Sequence, residues 1–232
     1  MGAARGAGNE KPENNEERRC AAVCRIRHFI WDFDGMLFDT YPHTLAAFLE
    51  TCRRLGIAAD KNEAYALMRI NLRRAFAHYG FTPEDTAAFY ALENDLSLLP
   101  RGVPYPRIPE LLAFIKARGG ENHLYTHRDS VAVEYLRLYG LQNLFSALIT
   151  GEDGFPFKPA PDALNHLIAQ RGLIKAECLM LGDRDIDVGA AVNAGIPALL
   201  FDTEGRYRTN VGETYRCEST EELERTVTKL IY

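Results

Sequence analysis

Residues 29–40 read FIWDFDGMLFDT: an apolar run that meets two aspartates one residue apart, then a glycine. A strand carried into Asp32-Phe33-Asp34 puts both carboxylates on one side of the chain, because strand side chains alternate with period two. Like charges held that close repel, and each raises the other's pKa unless something positive lies between them. The arrangement costs free energy. A divalent cation, proton chemistry or both would account for it.

Further short apolar runs lie at 122–126 (NHLYT), 146–150 (SALIT), 177–182 (ECLMLG) and 196–201 (IPALLF). Helical periodicity fills the intervals at 107–118, 130–140, 161–171 and 185–194. Strands alternating with helices of this length predict an α/β fold, a three-layer Rossmann-like core whose parallel sheet is joined by right-handed crossovers. One stretch breaks the alternation. Residues 41–100 carry helix-period segments instead, HTLAAFLETCRRL, KNEAYALMRINLRRAF and TPEDTAAFYALENDL, punctuated by Gly56, Gly80 and Pro83. In TPED, Thr82 is the N-cap, Pro83 takes the first helical position and the acids fall in the first turn.

The expectation is an inserted all-α helical cap over residues 40–106, with 23–39 and 107–232 forming the core. An insertion right after the first strand lies over the strand ends where open α/β sheets bind ligands, the place for a lid. Residues 1–22 are rich in Gly, Asn, Glu and Arg and short of large apolar groups, so a mobile tail is expected there.

Composition narrows the function classes. The 232 residues are 47% hydrophobic and 25% charged, enough for one large domain or two small ones. A formal net charge of −5 without a basic stripe gives no reason to expect nucleic acid. No apolar run approaches the roughly 20 residues that span a bilayer, and the first residues lack the apolar stretch of a secretory signal. Neither a membrane partner nor a secreted product is expected. The 5 cysteines are odd in number and scattered. Cys20 and Cys24 form a CxxxC, but no second pair completes four metal ligands, so reduced thiols in the cytoplasm are expected.

Polar residues close four of the apolar runs. In order they are Asp32-x-Asp34-Gly35; Thr126 in LYTHR; Lys158 in FKPAPD, a loop stiffened by Pro159 and Pro161; and Asp183 with Asp187 in LMLGDRDID. DxDG alone is weak, and a single lysine is weaker still. Four such motifs at successive strand ends resemble the haloacid dehalogenase superfamily, whose members are mostly magnesium-dependent phosphatases, and the resemblance runs from residue 27 onward. The helical insert resembles that family's small helical cap, and FDTYPH running into LAAFLE is most similar to its phosphoglycolate phosphatases.

The chemistry has its own logic. Hydrolysis of a phosphate monoester needs a nucleophile, a proton donor for the leaving alkoxide, and positive charge around the phosphoryl oxygens. Asp32 is the expected nucleophile, forming an aspartyl-phosphate. Asp34 would protonate the leaving group and then deprotonate water. Mg2+ takes a few carboxylate or carbonyl oxygens plus water and phosphate, a set that Asp32, the Asp34 carbonyl and Asp183 can supply. Thr126, His127 and Lys158 are the expected phosphate-binding residues, partly through backbone N–H groups. Asp187 would orient Lys158 or a metal-bound water.

Plainer readings stand beside these. Thr126 could cap the next helix, Lys158 could be a solvated surface group, Asp183 could be an N-cap, and Asp162 reads as the N-cap of the helix after Pro161. Within the family, an Asp at position 34 argues for phosphate ester or anhydride chemistry. A phosphomutase of the β-phosphoglucomutase type is disfavoured because its cap-hinge His would fall at Thr44, one residue from His43. A catalytically silent phosphate-binding relative is the other alternative. Receiver modules are about half this length, lack the insert and order these residues differently. Met36, His127 and Arg184 depart from the residues common in the family at their positions.

The expected partner is a small phosphorylated molecule, because a closing cap excludes macromolecules; a monomer or weak homodimer is expected. His43, Tyr65, Arg69, Arg73 and Arg74 are unranked candidates for substrate contact, and a solvated helix face would explain each of them equally well.

Overall fold

The computed structural model describes residues 25–95 and 101–231. The tail expected over 1–22, and with it Cys20 and Cys24, lies outside the described residues.

Six short runs form one parallel sheet: β1 (His28–Trp31), β2 (Glu121–Tyr125), β3 (Phe145–Ile149), β4 (Cys178–Gly182), β5 (Ala198–Phe201) and β6 (Tyr215–Cys217). Their order across the sheet is β3-β2-β1-β4-β5-β6. Trp31 of β1 is flanked by Leu124 of β2 and Leu181 of β4. A strand paired on both edges and covered on both faces has no polar side, which is why FIW reads as a continuous apolar run. Period two divides its side chains: Phe29 and Trp31 enter one buried cluster, Ile30 the other.

The first cluster is shared with helices α5 (Ile108–Ala117), α6 (Val131–Leu138) and α9 (Thr220–Leu230), and the second with α7 (Asp162–Arg171) and α8 (Asp185–Ala194). The chain builds outward from β1 to β3, then returns to the other flank of β1. The order therefore reverses between β1 and β4, where sheets of this kind leave a crevice at the carboxyl ends. Asp32 follows β1, and Asp183 follows β4.

Between β1 and α5 come four helices: α1 (Tyr41–Leu55), α2 (Lys61–Ile70), α3 (Leu72–His78) and α4 (Pro83–Asn94). They bury a separate apolar cluster of their own, centred on Phe48, Phe76 and Phe89. Thr82 caps α4 as its sequence predicts, in a reciprocal box with Asp85. The run KNEAYALMRINLRRAF is two helices instead of one. Asn71 sits in extended backbone at φ −171°, ψ 153°, and its side chain accepts the Arg74 N–H to start α3.

Three elements lie outside the sequence expectations. An antiparallel ribbon pairs Phe38 with Pro104 and Asp39 with Val103, so the chain enters and leaves the helical insert side by side. β6 has only three residues. α9 did carry a signal, the Ser219 cap on Glu222 and apolar Leu223, Val227 and Leu230 on one face. One expectation is corrected: Asp162 is the first residue of α7, not its N-cap, and the helix start has no side-chain cap. Pro161 fixes the turn into the helix, so a side-chain cap is not required there.

Candidate active site

The Asp32 N–H continues the β1–β4 ladder onto the Leu181 carbonyl, so its position is fixed by the sheet. Its buried carboxylate splits its roles. Oδ1 accepts from Lys158 Nζ at 2.7 Å, while Oδ2 is buried with no hydrogen-bond partner. Lys158, brought in by the loop before α7, also donates to Asp187 Oδ1 at 2.7 Å and to the Tyr125 carbonyl at 2.9 Å. Asp187 Oδ2 takes the Arg184 backbone N–H at 3.1 Å. Both Asp187 oxygens are thus engaged.

Asp183 divides the same way as Asp32. Tyr41 Oη (2.9 Å), Arg206 Nη2 (3.2 Å) and Arg69 Nη1 (3.3 Å) all donate to its Oδ2, whereas Oδ1 is buried without a hydrogen bond. Asp32, Asp183 and Asp187 each offer an oxygen within 4.8 Å of the others, and all three are buried. Gly35 makes room for this. Its φ of +78° suits glycine, and a Cβ there would run into Asp183 Oδ2 and the Tyr41 ring.

Charge confirms the crowding. Burial, and then repulsion from Asp187, pushes the Asp32 carboxyl up to about 7 despite Lys158. Burial raises Asp183 as well, with Asp187 adding to it. For Asp187 burial acts upward too, but Lys158 and Arg184 outweigh it and hold the group below its usual range. Two buried carboxylate oxygens without hydrogen bonds in an all-oxygen cluster match the donor set of a hard divalent cation.

Asp34 sits apart from this cluster. Thr40 Oγ1 donates to its Oδ1 at 2.6 Å, and Arg128 reaches the same oxygen through Nη2 (2.9 Å) and Nε (3.1 Å). Burial would raise the Asp34 pKa, but the Arg128 charge and these hydrogen bonds outweigh it, so the group is held below its usual range. Arg128 Nη2 also donates to Glu93 of α4 at 2.7 Å. The Arg128 role was missed in the sequence, where its only signal was a cation two residues past Thr126.

Thr126 Oγ1 accepts the Arg128 N–H at 3.0 Å, which shapes the turn after β2. The His127 ring accepts the Lys158 N–H at 2.8 Å and packs edge-on to Phe157. Burial first, then the Lys158 charge, lowers its pKa to about 3, so the ring is a neutral clamp on the Lys158 loop. Met36 is buried in the sheet's apolar cluster.

Of the insert candidates, Arg69 reaches furthest into the core. Besides Asp183 it pairs with Glu204 at 3.2 Å and lies 3.7 Å over the Tyr41 ring. Tyr65 donates to Glu204, and His43 Nε2 contacts the Glu93 carbonyl. Arg73 lines a cavity of about 620 Å³ between insert and strand ends, which Asp34, His127, Arg128, Lys158 and Arg184 also line. A second cavity of about 480 Å³ is bounded by Tyr65, Arg69, Arg184, Arg206 and Tyr207. Arg74 lines neither.

A twice-flanked central strand, a reversal of strand order beside it, and carboxylates and a lysine converging there define a Rossmann-like hydrolase with a helical insert. The family model of the haloacid dehalogenase-like hydrolases matches residues 29–201, and the chain belongs to that family. It is similar to the phosphoglycolate phosphatase of Neisseria gonorrhoeae, 31% identical over 190 residues that span 75% of this chain and 79% of the relative. The enzyme of the same name from Vibrio parahaemolyticus is also 31% identical over 190 residues, 73% of this chain and 81% of that one. A crystal structure of a predicted phosphoglycolate phosphatase from Haemophilus somnus has the same fold, with a TM-score of 0.75 at 20% identity over 87% of this chain and 98% of that chain. The chain is a phosphatase of this family. Among the described residues no helix is long and apolar enough to cross a membrane.

Proposed function

We propose that the protein hydrolyses the phosphate monoester of a small molecule of the phosphoglycolate kind, by way of an aspartyl-phosphate on Asp32. One observation carries the reading: Asp32 is fixed by Lys158 through Oδ1 while its Oδ2 and Asp183 Oδ1 stand bare in the same buried cluster. Asp32 Oδ2, Asp183 Oδ1 and the Asp34 carbonyl would hold Mg2+, which when bound offsets the carboxylate repulsion and polarises the phosphoryl group.

The protein's own groups do the rest. Lys158 aims Asp32 Oδ1 at phosphorus, and Asp187 aims Lys158. As the Asp32–phosphorus bond forms, the bond to the leaving oxygen breaks and Asp34 supplies its proton. Water then attacks phosphorus, giving its proton back to Asp34, and the Asp32–phosphorus bond breaks. Asp34 is ionised while Arg128 grips it, so it must leave Arg128 to act as an acid. That grip runs on to Glu93 in the insert, which ties the state of the acid to the position of the helices.

We take residues 40–106 as the cap, with the larger cavity beneath it receiving the substrate, and the cytoplasm as the compartment, in keeping with the buried free thiols of Cys52, Cys178 and Cys217. His43 is buried against the Glu93 carbonyl, which does not favour a mutase. The test is a panel of metabolite phosphates with Mg2+. Preference for a short phosphorylated acid supports the reading, whereas transfer of phosphate to a second sugar hydroxyl in place of water would replace it with the mutase.

A further inference from the structure

Lys158 is an expected holder of the phosphate oxygens, and in this structure its donors already have protein partners. An ammonium carries three N–H donors, and those of Lys158 go to Asp32, Asp187 and the Tyr125 carbonyl. Arg128 is engaged with Asp34 and Glu93, and Arg69 and Arg206 with Asp183; Arg73 also lines the larger cavity, from the insert, against the Phe157 ring. A phosphoryl group arriving over Asp32 nonetheless spreads its charge over three equatorial oxygens that need donors.

Arg184 is placed differently. Its guanidinium makes no hydrogen bond to any described residue, and its Nε is buried without a partner. The nearest acid oxygen, Asp183 Oδ1, lies 3.7 Å from Nε, beyond hydrogen-bond reach. The side chain is 22% exposed and lines both cavities, so its free donors border open volume. Lys158 and then Arg184 lower the Asp32 pKa against burial and Asp187. A guanidinium presents a planar fork that fits two oxygens of a phosphoryl group at once.

We propose that Arg184 is a substrate-binding residue that takes non-bridging oxygens of the phosphoryl group over Asp32, with donors that no described residue occupies. The proposal rests on the phosphatase reading.

Inorganic phosphate, which carries only the group in question, is the probe. Its affinity for the full chain with Mg2+ is measured by calorimetry and by competitive inhibition of aryl phosphate turnover, in wild type, Arg184→Met and Arg184→Lys. In the Met variant, phosphate affinity should fall and KM should rise by roughly 10- to 100-fold, as expected for a charged hydrogen bond. The Lys variant should recover part of this, with the Mg2+ midpoint unchanged in both. Phosphate binding within twofold of wild type in both variants would overturn the proposal, including the version in which Arg184 serves a remote anion in the smaller cavity. A shifted Mg2+ midpoint with phosphate affinity intact would overturn it too, making Arg184 a support for Asp183. If wild type binds phosphate but turns over no ester, the phosphatase reading fails while the phosphate titration still decides the role of Arg184.

Discussion

Arg128 Nη2 stands 2.9 Å from Asp34 Oδ1 and 2.7 Å from Glu93 Oε1, so one nitrogen joins the strand-end acid to the last helix of the insert. Arg128 is 10% exposed and Glu93 3%, which puts the link where water does not screen it. Arg128→Met should leave two acids without their cation and cost about 3–5 kcal/mol of stability. Glu93→Gln in the same background should restore part of it. Urea unfolding of the two single variants and the double variant checks this, and strict additivity would mean that the pair is not coupled.

Asp32→Asn should abolish turnover without loss of fold, because it removes the nucleophile and keeps the shape. A variant retaining more than about 1% of the wild-type rate, a hundredfold loss on the scale of a single catalytic group, would show that another group attacks phosphorus.

Asp34→Asn should separate substrates by leaving group. Release of an alkyl alcohol should slow by roughly 10²–10⁴-fold, while an aryl phosphate should still phosphorylate the enzyme and then stall at the phosphoenzyme. Burst kinetics read this directly, and equal losses for aryl and alkyl esters would remove the acid role from Asp34.

Magnesium should support activity and chelation should remove it. Calcium should inhibit, since its six to eight ligands would recruit the second Asp32 oxygen as well. Asp183→Ala should raise the Mg2+ midpoint because it deletes a bare oxygen of the cluster. Asp187→Ala should leave that midpoint nearer wild type and lower the rate by roughly 10–100-fold. Rates titrated with Mg2+ for both variants would reverse the two assignments if the shifts came out exchanged.

His127 gives a pH signature. Its folded pKa of about 3 lies below the ordinary value of 6.5, so below that value only the unfolded chain takes up the proton. The native state therefore loses stability as pH falls through 6.5 and keeps losing it until about 3. His127→Gln retains a hydrogen-bond acceptor and removes the proton. Between pH 6.5 and 4 the variant should lose stability less steeply than wild type, by up to about 1.4 kcal/mol per pH unit. Parallel curves from urea midpoints would place a charged ring in the native state.

The parts legible in the sequence were those written in short range. Asp32, Thr126 and Asp183 each follow an apolar run directly, and the run itself says where the strand stops, while Lys158 is marked by the prolines of its loop. Thr82 and Asp85 declare a helix start within four residues. What stayed hidden depends on contacts that no window contains: Arg128 with Asp34 across 94 residues, Arg69 with Asp183 across 114. Lys158 shows the same limit from the other side. Its presence was legible, but its saturation by Asp187 and the Tyr125 carbonyl was not, because that depends on where three separate chain segments meet.

The Phe38–Asp39 and Val103–Pro104 ribbon gives the molecule one doorway. The described helices of the insert lie between these two adjacent segments, and their apolar cluster is separate from those of the sheet. Lengthening or exchanging that interior changes the loop-closure cost only slowly, by about 0.6 kcal/mol for each doubling of length. A foreign helical segment spliced between Thr40 and Gly102 should thus leave the sheet's melting transition in place, while the ion pairs of Asp183 and Arg128 with the insert are lost. Selection can therefore retool what enters the cavity without reopening the question of how the sheet folds.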